Sequence, residues 1–138
     1  MKTLIAALIL ITAAWGEQNA PLGQQKMCME QVNKLVEARQ EFRAQMNANP
    51  NIITFSYTDT NHFNPRARIC YWTTRTQVQT PDRLRLLGIS ITDAFQGDTA
   101  AEFEPAADGR EAFCFVEALR CHSEKEFLTL AFRMRYRK

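Results

Sequence analysis

The chain has 138 residues, of which 46% are hydrophobic and 23% charged, and carries a formal net charge of +2. The length of one domain and an ordinary apolar fraction exclude wholesale disorder, and five Gly with five Pro exclude collagen-like and low-complexity chains. So small a net charge gives no broad basic field, and nucleic-acid binding gains no support.

The N-terminus opens on Met1-Lys2-Thr3, followed by a run from Leu4 to Ala14 that is apolar except for Thr12. A bilayer span needs about 20 residues, so this shorter run reads as the core of a signal peptide. Cleavage after Gly16 puts small residues, Ala14 and Gly16, at the −3 and −1 positions; cleavage after Ala14 is the second choice. Residues 1–16 are therefore expected to be a signal peptide, and the protein to be exported, either periplasmic or extracellular. No second long apolar run follows, so no membrane span is expected in the mature chain. All four cysteines, Cys28, Cys70, Cys114 and Cys121, lie beyond the leader, and an even count in an oxidising compartment reads as two disulfides.

Residues 17–25 are polar with one Pro and one Gly and read as a flexible lead-in to a single disulfide-stapled domain over 26–138. From Lys26 to Asn47, Cys28, Val32, Leu35, Val36, Phe42 and Met46 recur near helical spacing, and Pro50 ends the helix. Ile53, Phe55 and Tyr57 alternate with polar residues as in a strand, and Asp59-Thr60-Asn61 has the chemistry of a turn, continued as a loop through Asn64-Pro65. Arg68–Val78 is a second strand, with Ile69, Tyr71 and Thr73 on one face and Cys70 and Trp72 on the other. Leu84–Thr92 is a third, interrupted near Gly88 as by a bulge, and Thr99–Phe103 a fourth. Phe113–Leu119 fits strand or helix. Ser123 with Glu126 makes a capping box for a helix carrying Phe127, Leu130, Ala131 and Met134, although Leu128 to Tyr136 also alternates as a strand would.

A helix over 114–121 would hold its two cysteines roughly 10 Å apart, too far for a disulfide, whereas a tight hairpin joins them. Cys114 is thus expected to bond Cys121, leaving Cys28 for Cys70. The expected fold is α+β: an N-terminal helix, a four-stranded antiparallel meander, and a C-terminal helix, both helices on one face.

The sequence shows no nucleophile elbow, phosphate loop or zinc-protease motif, and no metal or cofactor is implied. His122 adjoins Cys121, but a bonded cysteine offers no thiolate. The basic tail Arg133–Lys138 reads as a solvated helix end, or as a surface for an anionic partner. His62, Phe63, Asn64, Arg66, Tyr71 and Trp72 cluster around the first hairpin. Both faces of the second strand carry large groups, so the cluster is either core, with a helix over the remaining face, or a partner surface.

Four short motifs recur together: Cys28-Met29-Glu30-Gln31, His62-Phe63-Asn64 six residues before Cys70, Asp93-Ala94-Phe95-Gln96-Gly97, and Cys121-His122-Ser123 with Glu126-Phe127. In these the chain resembles a loose group of small exported bacterial proteins of unknown function, whose members often carry Tyr in place of Phe63. The resemblance implies the same element order and the same disulfides. With no catalytic constellation, the expected function is that of an exported, non-enzymatic protein binding another macromolecule, an unidentified protein or envelope component, as an inhibitor or accessory factor. A small exported hydrolase or small-ligand-binding protein is the alternative.

Overall fold

The computed structural model describes residues 6–138, with side chains from Leu22 onward. The leader expected at 1–16 lies outside the described side chains, and residues 1–5 lie outside the described chain. Helix α1 spans Ala6–Ala38 and α2 spans Gln40–Asn47. Residues 17–25, expected as a lead-in, belong to the backbone of α1. At its described end Gln25 is fixed by long-range bonds: Nε2 donates to Asn61 Oδ1 at 3.1 Å, and Oε1 accepts the Phe63 N–H at 3.2 Å. Tertiary contacts here outweigh local composition. The single helix expected from Lys26 to Asn47 is broken at Arg39, whose backbone (φ −101°, ψ 5°) leaves the helical region.

Six strands follow: β1 Thr54–Asn64, β2 Ile69–Gln79, β3 Leu84–Asp93, β4 Thr99–Glu104, β5 Phe113–Val116 and β6 Leu119–Arg120. They form one sheet in sequence order, every pair antiparallel. The α+β class and the terminal helices agree with the sequence reading, but the meander has six strands, not four. The added pair is the Cys114–Cys121 hairpin, whose two-residue turn places Glu117 at φ 53°. The second disulfide joins Cys28 on α1 to Cys70 on β2, with Cα atoms 5.3 Å apart.

β1 runs through the expected turn Asp59-Thr60-Asn61 and ends six residues later than its first alternation predicts. Asp59 and Asn61 are turn formers when their side chains bond their own backbone. Here they bond elsewhere, to Arg39, Trp72, Thr74 and Gln25. The turn falls instead at Pro65–Arg68, where Asn64 Oδ1 accepts the N–H groups of Arg66 and Ala67, both at 3.0 Å.

The bulge expected near Gly88 is present. The register against β2 shifts between Thr76 and Gln77, so Leu87 has no partner across the strand pair. A Cβ on Gly88 would lie 3.1 Å from the Phe103 carbonyl oxygen, so glycine permits the close approach of β4.

The two helical layers cover opposite faces, a correction to the single covered face expected from sequence. Cys28 and Val32 pack with Phe63, Cys70 and Ala94. On the other side Phe127, Ala131 and Met134 of α3, Glu124–Arg135, pack with Tyr71, Ile89, Ile91, Ala101, Phe103 and Val116. Alternation along β2 requires this, since Cys70 and Tyr71 point to opposite faces and each lies in its own cluster. Helices α1 and α2 also guard the open edge of the sheet. Gln25 reaches the β1 edge at Phe63, and Asn47 grips it at Phe55, accepting its N–H at 2.6 Å and donating to its carbonyl at 3.1 Å. Amides so occupied cannot template another strand.

Candidate functional site

The hairpin cluster expected as a partner surface is mostly interior, and the surface reading is corrected here. Phe63 is 6% exposed and Tyr71 3%. Asn64 is buried and holds the C-terminus: its Nδ2 donates to the carbonyls of Arg135 at 3.1 Å and Arg137 at 3.3 Å. Trp72 is half-buried, with Nε1 donating to Asp59 Oδ1 at 2.8 Å. Of the six residues only Arg66 is exposed, in the turn beyond β1. The reason is the two-sided packing: α1 closes the Phe63 face, and the end of α3 closes the His62 face, where Tyr136 stacks on His62 at 4.3 Å between ring centroids.

The polar centre on the α1 side is a clamp. The Arg39 guanidinium lies over the Tyr57 ring at 3.8 Å and near the Trp72 ring at 4.8 Å. It pairs with Asp59 and donates to Thr74 Oγ1 at 3.1 Å. Asp59 in turn accepts from Trp72 and from Thr74 Oγ1 at 3.0 Å. Every carboxylate oxygen is engaged, so this centre ties the α1–α2 junction to β1 and β2. Nothing in the sequence order signals it, because the contributing residues are scattered from position 39 to 74.

Burial holds the His62 imidazole below its ordinary value of 6.5; the positive charge of Arg135 acts in the same sense, against backbone hydrogen bonding to Arg135. The fold therefore favours neutral His62. Its stabilising contribution is fully present above pH 6.5 and is lost as pH falls from there toward the lower folded value, because the unfolded chain takes up the proton first. Urea unfolding at steps between about pH 7.5 and 5 is expected to show a decline that His62→Gln flattens. An identical decline in the variant would place the pH dependence elsewhere.

The exposed counterpart of the packed helix face is the outer side of α3. Ser123 Oγ caps the helix by accepting the Glu126 N–H at 3.2 Å, and Glu126 Oε2 accepts the N–H of His122 at 2.9 Å. The reciprocal half of the expected capping box thus reaches one residue further back. Phe127, Ala131 and Met134 turn inward, which leaves Leu128 at 45%, Phe132 at 58% and Tyr136 at 50% exposure, one helical turn apart. Leu128 and Phe132 border an open groove of about 830 Å³ that also touches Lys125, Thr129 and Arg133.

The charges on this face are unevenly satisfied. Glu124 is bonded to Arg75 at 2.7 Å, and Glu126 is spent on the cap. Among the described residues, no carboxylate lies within 4.0 Å of Lys125 or Arg133. The ridge is therefore apolar with free positive charge beside it. The sequence signalled it through the alternative partner reading of the basic tail and the period of 128, 132 and 136. No group of three metal-ligating side chains occurs among the described residues, and no described helix is long and apolar enough to cross a membrane. Comparison with protein-family models, curated proteins and solved structures found no match to this chain.

Proposed function

We propose that the protein is an exported, disulfide-stapled, non-enzymatic binding module that holds an acidic protein surface against the outer face of α3. The single observation that carries the reading is the exposed row Leu128, Phe132 and Tyr136 beside Lys125 and Arg133, which have no ion-pair partner among the described residues. Large apolar side chains exposed in a row and rimmed by charge are a recognised mark of an interaction site. Aromatic groups supply most contact energy in such patches, while free cations select a partner of opposite sign. The two disulfides suit a small module working in an oxidising compartment.

The test is affinity capture from an envelope extract with the tagged full chain and a Leu128→Ser/Phe132→Ser variant. The wild type is expected to retain a defined partner, and the variant to lose it while melting nearly as the wild type does, since exposed substitutions shift stability by no more than about 0.5 kcal/mol. At about 1 M salt, where the Debye length is about 3 Å, retention should fall sharply. Equal retention by the variant, or none by the wild type, overturns the reading.

A further inference from the structure

A second surface feature lies away from the α3 ridge and is independent of the function proposed above. β3 is four residues longer than its neighbour at one end. The β3–β4 ladder begins at Ile89, paired with Phe103, so Leu84–Leu87 run on with no β4 partner. There β4 stops at Glu104 and the chain turns away at Pro105. It returns through a small turn in which Asp108 (φ 52°) and Gly109 (φ 79°) are left-handed and the Arg110 N–H bonds the Ala107 carbonyl at 2.9 Å. The space between the overhanging strand and this returning loop is a cleft of about 600 Å³, within the range of small-ligand sites.

The cleft is lined by more polar than apolar surface, with basic side chains outnumbering the acids left free. Leu86, Leu87 and Phe103 are its large apolar lining residues, and Arg83, Arg85 and Arg110 line it from three separate backbone positions. Arg83 is placed by the turn in which its carbonyl accepts the Thr80 N–H at 3.0 Å. Among the described residues, none of these three guanidinium groups has a carboxylate within 4.0 Å. Of the acids lining the cleft, Glu124 is already held by Arg75, which leaves Glu104 and Asp108. Three cations over two free carboxylates leave a surplus of one positive charge. A guanidinium offers a planar fork of donors that matches a carboxylate in bidentate fashion.

We infer that this cleft binds a small amphipathic carboxylate, its apolar tail on Leu86, Leu87 and Phe103 and its single negative head among Arg83, Arg85 and Arg110. One negative charge matches the surplus, whereas a head of higher charge meets Glu104 and Asp108 unbalanced. The two remaining acids also set the sign of a test that a purely structural role would not reproduce.

The probes are decanoate, kept below its micelle concentration, and the neutral 1-decanol, titrated into the isotopically labelled full chain. Decanoate is expected to shift the amide resonances of Leu86, Leu87, Ala107 and Arg110, and decanol to bind at least about tenfold more weakly, a difference of about 1.4 kcal/mol. Arg85→Gln and Arg110→Gln should each weaken decanoate by about tenfold and leave decanol unchanged; both residues are exposed, so the fold is retained. Glu104→Gln should tighten decanoate binding. The inference is overturned by absence of decanoate binding, by equal binding of the two probes, by shifts confined to Leu128 and Phe132, or by arginine variants that bind decanoate as the wild type does.

Discussion

Phe63→Ala is expected to lower stability by about 3–5 kcal/mol, the range for removing a buried aromatic ring and leaving its cavity. Phe63 faces Cys70 across the β1–β2 pair and packs with Cys28, Val32 and Ala94, next to the disulfide that ties α1 to the sheet. That bond limits how far α1 can settle into the vacated space, so little of the cavity can close. Urea unfolding should show a lower midpoint with an unchanged slope. Arg66→Ala, two residues into the neighbouring turn, should change stability by no more than about 0.5 kcal/mol, because its side chain is exposed and unbonded. A Phe63→Ala loss below about 1 kcal/mol would mean that the ring is not core, and would reopen the hairpin as a partner surface.

The contrast between these two positions also marks how far the sequence could be read. Alternation in β2 separated Ile69, Tyr71 and Thr73 from Cys70 and Trp72, and the structure keeps that division. What alternation cannot supply is the identity of the element that covers each face, because helix α3 reaches Tyr71 from about 60 residues away in sequence. The Cys114–Cys121 hairpin was legible for a stronger reason: a disulfide has a fixed reach, and a helix over that span exceeds it. Alternation does not reveal that this hairpin is two strands, since Leu119–Arg120 is too short to show any period.

Turn chemistry misled for a physical reason. Asp59, Thr60 and Asn61 have the residue types of a turn, and local propensity has no means of registering that Arg39, Trp72 and Gln25 will claim the side chains. The two surfaces proposed for function differ in the same way. The α3 ridge leaves a trace in sequence, because helical spacing lines up Leu128, Phe132 and Tyr136 once Phe127, Ala131 and Met134 are assigned inward. The arginine cleft leaves almost none. Its existence depends on β3 outrunning β4, a mismatch of strand lengths that only the paired sheet reveals.

Asp59→Ala should destabilise the fold by about 3 kcal/mol, near the lower end of the range for breaking a buried ion pair. The lower end applies because both side chains keep some solvent contact, at 18% and 19% exposure for Arg39 and Asp59. The substitution removes three acceptor roles together, leaving the Arg39 guanidinium, the Trp72 indole N–H and the Thr74 hydroxyl without their shared partner. Asp59→Asn keeps one carbonyl oxygen for these donors and loses the charge, so it should cost less than the alanine change. Arg39→Met in the Asp59→Ala background should recover stability relative to Asp59→Ala alone, since an unpaired cation is then replaced by an apolar chain that can lie against Tyr57 and Trp72. Coupling between contacting charged residues commonly amounts to about 0.5–3 kcal/mol, within reach of a double-mutant cycle by chemical denaturation. If the two changes simply add, Arg39 and Asp59 do not act as a unit, and Arg39 then holds the junction between α1 and α2 through its ring contacts and its bond to Thr74.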